Sequence, residues 1–496
     1  MERLLSNEMN RRVLLLNELY STTEWLTSEQ LTKSLKCSSK TLFLDCQYLE
    51  ERWGAYLTIE ISKKSGIKMI TAPHQSIHDI YSQIIKESSA FILLESIFFH
   101  PNHESNFFEE KLFMSKSTLY RLTKKINVSL RDRELKLSQK PFYLFGKTER
   151  QIRYFFAAYF LEVYGIHDWP FLFDKEKILA FIQKIDENFQ LQLTDIQIIH
   201  LAFSIAVTLI RQQQGYYVQI PEKEREELAR EQEQLLIYQN EIYDFTGMQP
   251  KEIADCWYED FIYTFFWWNF GWKSLLEKQE VESAGEDFVE TIRNALTIPV
   301  TESSRERIIR LFQNTYTLHK MFPFKKYMIY DRFLFSSKAI QQNYVVFSAV
   351  VSKALKVLEE ETAFPWYQMY QNELLHEVMI YWEHLAIYMD QLRKTVSILV
   401  LSDLGQEHAQ SMVDQLTSAF QYKISATYQK HVILDTDVSG YQTADLYVTN
   451  YFPEGMLNEQ LIVVEDVLSS KDLNDLRDFI DKARLILPED IPYLHS

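Results

Sequence analysis

Ser38-Ser39-Lys40-Thr41-Leu42-Phe43, followed by Leu49, and Ser115-Lys116-Ser117-Thr118-Leu119-Tyr120, followed by Ile126, are two versions of one pattern set about 77 residues apart. In each, a serine able to cap a helix precedes apolar residues at helical spacing, and the positions between them carry hydroxyl, amide, aromatic and basic side chains. A helix that keeps one stripe buried while its opposite stripe offers donors to phosphates and base edges is how a helix-turn-helix recognition helix is written.

The surroundings of both copies support the same reading. Before the first, Met9, Val13, Leu16 and Leu19 share one face of a helix over residues 8–19, and Thr27-Ser28-Glu29-Gln30 predicts a capping box for a short second helix. The recognition helix runs from Ser38 to about Trp53. Beyond it, Tyr56 to Ile61, a basic Lys63-Lys64-Ser65-Gly66 turn and Ile67 to Ile70 predict a two-stranded wing. The second copy has an apolar helix at Ala90–Phe99, a short helix at Asn106–Phe113, a recognition helix from Ser115 towards Leu130, and a wing formed by Leu135–Leu137 and Phe142–Phe145.

Candidate DNA-contacting residues are Lys116, Ser117, Tyr120, Arg121, Lys124 and Lys125 in the second helix, and Ser39, Lys40 and Gln47 in the first. The bland alternative is a solvated helix face. Phe43 and Leu44 leave two readings open, contact with thymine methyl groups or packing on a neighbouring element.

Net charge is −17, which alone argues against a polyanionic partner. Its distribution argues the other way. Residues 1–153 hold 23 Lys and Arg against 18 Asp and Glu, a balance of +5, and the remainder is −22. Local potential within a Debye length governs steering, so a basic head on an acidic body can hold DNA. At 496 residues the chain predicts about three to five domains. Three cysteines, Cys37, Cys46 and Cys256, give neither a disulfide framework nor a zinc site, in keeping with a reducing cytoplasm. No apolar run reaches the length of a membrane span.

From about Phe171 to Arg393 aromatic-rich amphipathic helices predict two bundles, with a seam near Thr297–Glu302 where Ile298-Pro299 interrupts helix. After Thr395 the pattern changes. Val396–Leu401 is a mostly apolar run of strand length, a helix runs to Phe420, further strands are expected at Tyr422–Tyr428, Leu446–Thr449 and Leu461–Val464, and a closing helix at Asp472–Leu485, so a small, mainly parallel α/β domain is predicted.

This order resembles the Mga/AtxA family of global transcription and virulence regulators of Gram-positive bacteria. The most specific piece is Ser115-Lys116-Ser117-Thr118-Leu119-Tyr120-Arg121-Leu122 with Gly146 to Arg153 after the wing. The resemblance implies a mainly α multidomain chain: winged helix-turn-helix domains at 1–70 and 71–168, bundles like phosphotransferase-system regulation domains (PRD) at 169–297 and 298–394, and an EIIB-like α/β domain at 395–496. It further implies a cytoplasmic, DNA-binding regulator, an activator of several operons. Its activity would be tuned by histidine phosphorylation from a phosphotransferase-system phosphocarrier protein.

Leu193-Thr194-Asp195, His200-Leu201-Ala202-Phe203 and Arg211 with Gly215 are similar to that family's histidine-bearing helix, which implies His200 as phosphoacceptor. In the second bundle His384-Leu385-Ala386-Ile387 nearly repeats the motif, and His376 competes with it. For all three the plain alternative is a hydrogen-bonded structural histidine. The tail has Ser402 where an EIIB phosphocysteine would stand, and no cysteine follows Cys256, so it is read as a partner-binding or dimerisation domain. Expected partners are promoter duplex, the phosphocarrier, RNA polymerase and a second copy of the chain. Two other readings stay open, an RNA-binding antiterminator with the same bundles and a phosphotransferase component. The aromatic run Trp257, Phe261, Phe265, Phe266, Trp267, Trp268 and Trp272 is read as core or dimer interface, and Glu359-Glu360-Glu361 as solvated. No nucleophile–base motif, P-loop or metal-ligand cluster is legible, so neither turnover nor a cofactor is expected.

Overall fold

The computed structural model describes residues 1–189, 191, 193–222, 224–226, 242, 244, 246, 255–265, 272–430, 443–452, 460–486 and 488–495. It divides into two compact units, Met1–Gly285 with Ile309–Ala339, and Glu286–Ile308 with Ile340–Ser496.

The first unit opens with α1 (Asn7–Tyr20), α2 (Ser28–Leu35), α3 (Ser39–Trp53), β1 (Leu57–Ser62) and β2 (Gly66–Thr71). The caps are the ones the sequence spells out. Thr27 and Gln30 form a reciprocal capping box on α2, and Ser38 Oγ accepts from Thr41 N at 3.1 Å to start α3. Leu42, Cys46, Leu49 and Trp53 turn inward from α3. The antiparallel hairpin registers Leu57 with Thr71 and Ile61 with Ile67. Gly66 sits at φ 112°, and a Cβ there would lie 2.2 Å from Leu26 O, so no other residue fits.

One buried carboxylate organises this module. Asp45, on the inner side of α3, is 1% exposed and accepts from Arg12 Nε at 2.9 Å and Arg11 Nη2 at 3.2 Å, pinning α1 to α3. Arg12 also lies over the Tyr48 ring at 3.5 Å. The pair to Asp45 raises the Arg11 pKa further above its usual value.

The second module follows as α5 (Ser89–Phe99), α6 (Ser105–Lys111), α7 (Lys116–Leu130), β3 (Leu135–Gln139) and β4 (Phe142–Gly146), the expected order. Preceding it is α4 (Ile77–Glu87), a helix the sequence reading does not foresee. It is tied to the first module, since Trp53 Nε1 donates to Gln83 Oε1 at 2.9 Å and the Tyr81 hydroxyl donates to Asn17 Oδ1, and it leads directly into α5 of the second. Asn127 of α7 donates to Leu137 O and accepts from Leu137 N, which fixes the second hairpin against its recognition helix.

After the hairpin comes α8 (Glu149–Tyr164), capped by Thr148, then α9 (Lys175–Phe189), α10 (Asp195–Gln213) and α11 (Asp255–Phe265). Four charged side chains of α8 and its partners meet inside the unit. Arg211 of α10 makes a two-pronged pair with Glu149 at 2.7 and 2.8 Å. Arg153 makes another with Asp260 of α11 at 2.8 and 2.7 Å, and Gln212 Nε2 joins Asp260 at 3.1 Å. At the other end of α8 the buried Glu162 accepts from Ile329 N and Tyr330 N at 2.8 and 2.9 Å. Burial pushes the Glu162 carboxyl above the usual carboxylate range, and the backbone donors pull it part of the way back.

The division between units falls within α12 (Leu275–Leu296), α13 (Glu302–Met321) and α14 (Arg332–Asn343). In the second unit α15 (Val345–Thr362) and α16 (Trp366–Tyr381) pack together, followed by α17 (Leu385–Gln391). Glu359 is not merely solvated, since its Oε2 accepts from Tyr367 N and Gln368 N at 2.8 and 2.9 Å and so caps α16. Trp382 Nε1 donates to Pro299 O at 2.9 Å.

The tail is a four-stranded sheet of β5 (Val396–Leu401), β6 (Ile424–Tyr428), β7 (Leu446–Thr449) and β8 (Leu461–Val463) in the order β6-β5-β7-β8, with every pairing parallel. Flanking it are α18 (Gln406–Phe420) and α19 (Ser470–Ala483). Ser402 is buried at the end of β5, its Oγ 2.7 Å from His408 Nδ1, while His408 Nε2 lies 2.6 Å from Asp466 O. Asn450 Nδ2 donates to both Asp403 and Asp466, so three loops at the carboxyl ends of the strands are tied together.

Replacing Asp45 by alanine leaves the part-buried guanidinium groups of Arg11 and Arg12 without their carboxylate partner. Breaking a buried pair from one side costs roughly 3 kcal/mol or more. Urea unfolding followed by far-ultraviolet circular dichroism is expected to show the loss, and an unchanged first transition would remove Asp45 from its organising role.

Candidate nucleic-acid interface

α7 presents the candidate surface. Ser115 Oγ accepts from Thr118 N at 3.2 Å, and Leu119, Thr123, Ile126 and Leu130 face the core. Thr123 lies on that apolar side because its hydroxyl donates to Leu119 O at 2.8 Å. The opposite stripe exposes Lys116, Ser117, Tyr120, Arg121 and Lys124, which recur at i, i+1, i+4, i+5 and i+8. Tyr120 is 61% exposed. Three cations and no carboxylate on one stripe make a local positive potential.

Lys125 stands apart from this stripe. Its Nζ donates to Leu5 O at 2.6 Å, and partial burial lowers its pKa. The sequence could not separate it from Lys124, because only the fold brings Leu5 to that flank. Conversely, Lys136, Lys140 and Lys147 are exposed on and beside the second hairpin, and they extend the basic surface beyond the residues singled out from sequence. The signal was available as basic residues around a predicted wing.

The corresponding stripe of α3 is different in kind. Ser39 and Lys40 are exposed, but Gln47 donates to Glu51 Oε1 at 2.7 Å and Glu50 is exposed beside it. Phe43 and Leu44 are 40% and 55% exposed, so neither is buried on a neighbouring element of this chain. α3 thus offers two cations, Lys40 and an Arg52 that is paired with Glu87, beside two apolar side chains and two carboxylates.

The three histidines occupy unlike settings. His200 lies within α10, half-buried, with the Tyr154 ring of α8 at 5.4 Å between centroids. Burial, assisted by the nearby Lys326 charge, pushes its pKa down to about 4, so the imidazole is neutral at neutral pH. His376 is half-buried in α16. His384 is exposed at the start of α17, where its backbone adopts φ 59°. The likeness between the two His-Leu-Ala segments is therefore one of sequence, a helix interior in one and a helix start in the other. In the aromatic run, Trp257 and Phe261 are buried and stacked at 5.3 Å, as core residues, and Trp272 stacks on Tyr316. Phe266, Trp267 and Trp268 lie outside the described residues, as does the side chain of Phe265. Among the described residues no helix is long and apolar enough to cross a membrane.

Residues 73–160, which hold α4 to the greater part of α8, match the Mga helix-turn-helix domain. A putative trans-acting regulator of Streptococcus pneumoniae is 22% identical over 485 residues, 94% of this chain and 96% of that protein. Two capsule synthesis positive regulators of Bacillus anthracis, AcpB and AcpA, are 26% and 27% identical over 220 and 219 residues, 44% of this chain and 45% of each relative. The chain thus spans under half of those two proteins. The domain match and these relatives support the resemblance to Mga/AtxA-type regulators.

Changing Arg121 and Lys124 together to alanine is expected to weaken duplex binding and to reduce the slope of log affinity against log salt by roughly two. Lys125→Ala should leave that slope unchanged. Equal slopes for wild type and the double variant in a gel-shift salt series would remove α7 as the phosphate-binding face.

Proposed function

We propose that this Mga/AtxA-type chain is a transcription regulator that holds promoter duplex through its two N-terminal winged helix-turn-helix domains, 1–70 and 71–168. The observation that carries the reading is the exposed, carboxylate-free stripe of α7, lying inside the segment that matches the Mga helix-turn-helix domain. Lys116, Arg121 and Lys124 supply phosphate contacts, Ser117 and Tyr120 reach base edges, and Ser39, Lys40 and Gln47 add a weaker second contact. Two of the relatives are capsule synthesis positive regulators, which favours activation and calls for RNA polymerase as a further partner.

The finer part of the proposal is regulation through the helical regions 169–297 and 298–394 as PRD-like bundles, with His200 the foremost phosphoacceptor and His376 and His384 behind it. Neutrality and contact with α8 support His200. Phosphorylation adds about −1.5 to −2 charge. At His200 that charge would meet Lys326 and press on Tyr154, and Tyr154 belongs to the helix that follows the second hairpin directly. The segment 395–496, read as EIIB-like, serves self-association into a dimer.

Incubating the purified chain with the general sugar-phosphotransferase proteins, the phosphocarrier included, tests this part. The expected result is acid-labile phosphate on His200, lost in His200→Ala, together with a changed affinity for duplex DNA. Absence of histidine phosphate would leave DNA binding standing and end the phosphotransferase reading. Preference for an RNA hairpin over duplex would instead favour an antiterminator.

A further inference from the structure

The turn into each recognition helix holds a residue whose backbone conformation favours glycine. α6 ends with Met114 N donating to Glu109 O at 3.0 Å and Phe113 N donating to Glu110 O at 3.4 Å, the paired bonds of a Schellman motif, and they place Phe113 in the left-handed region at φ 51°. Glycine, and less often asparagine, fills that position at low cost, whereas a bulky side chain there is a strained exception. Packing does not offset the strain, since the Phe113 ring is 96% exposed. The other module repeats the arrangement. Lys36 ends α2 at φ 51°, ψ 46°, Cys37 N donates to Thr32 O at 3.1 Å, and Lys36 is exposed. Each residue stands two positions before the capping serine, Ser38 or Ser115, so Lys36 and Phe113 are equivalent positions of the doubled pattern.

We propose that Lys36 and Phe113 are DNA-contacting residues at the mouth of each recognition helix, the lysine pairing with a phosphate oxygen and the phenylalanine lying against deoxyribose and base edges. Three observations point to duplex rather than protein as the occupant. Both side chains project from the turn that leads into the helix end expected to enter the groove. In one copy the position is a free-standing cation, the chemistry that phosphate recognition needs: among the described residues Lys36 has no ion-pair partner. Exposed polar or basic residues, Ser39 and Lys40 or Lys116 and Ser117, follow within four positions in both copies. Local strain kept without a packing return marks a functional position. The inference rests on the duplex-binding reading above and adds residues that the recognition-helix pattern does not contain.

The test uses the full chain, a duplex selected by the wild-type chain from a random pool, and the variants Lys36→Gly and Phe113→Gly. Glycine relieves the left-handed backbone, so both variants are expected to unfold at the wild-type temperature or above it. Both should nevertheless bind the selected duplex at least about five-fold more weakly near 0.15 M salt. Lys36→Gly should lower the salt slope by roughly one, and Phe113→Gly should leave it unchanged. Wild-type affinity in either variant overturns the assignment for that residue. Loss of self-association in sedimentation, with DNA affinity intact, makes the turn an interface between copies and overturns the proposal. A wild-type chain that selects no duplex overturns the regulator reading itself, and this inference with it.

Discussion

Charge buried inside a helical protein is tolerated only where each ion is met by a partner of matched geometry. In this chain α8 carries that requirement. Glu149 and Arg153, one turn apart, are met by Arg211 and Asp260 from two other helices, and Glu162 is met by consecutive backbone N–H groups of Ile329 and Tyr330. Paired forks of this kind fix direction as well as distance. They therefore set how α8 lies against α10 and α11, and α8 begins three residues after the hairpin that flanks the candidate DNA surface. The candidate surface thus adjoins a helix whose setting within the unit depends on buried electrostatics.

The same local code builds two modules with different outward chemistry. Capping serines, inward leucines and a closing hairpin recur, because a three-helix module needs them to fold. Outward positions are free of that need and diverge. α7 shows cations and hydroxyls, while α3 shows Lys40, an Arg52 tied up by Glu87, an exposed Phe43-Leu44 pair and two glutamates. Phosphate affinity therefore concentrates on the second module, and the first is suited to a weaker contact with an apolar share.

What was legible in the sequence was local. The Thr27 capping box, both recognition helices and both hairpins depend on residues close together in the chain, and each lies where the pattern placed it; the tail strands are legible as short apolar runs, although their parallel pairing joins residues as far apart as Ile398 and Leu446. What escaped depends on distant pairing. Asp45 falls on a helix like any surface acid and becomes an anchor only when α1 brings Arg11 and Arg12 to it. Lys125 is indistinguishable from Lys124 in sequence, and only the fold brings the Leu5 carbonyl to it, from 120 residues away in the chain. His384 matched His200 in sequence yet starts a helix instead of occupying its interior, because composition of four residues does not fix backbone conformation.

The claim on which everything turns is that the exposed face of α7 lies in the groove of duplex DNA while its other face stays in the core. Site-specific photocrosslinking measures this directly, with benzoylphenylalanine placed at Tyr120 on the outer stripe and at Val128 further along the helix. The account predicts crosslinking to bound duplex from Tyr120, falling off at Val128. Efficient DNA binding with no crosslink from Tyr120 would contradict it.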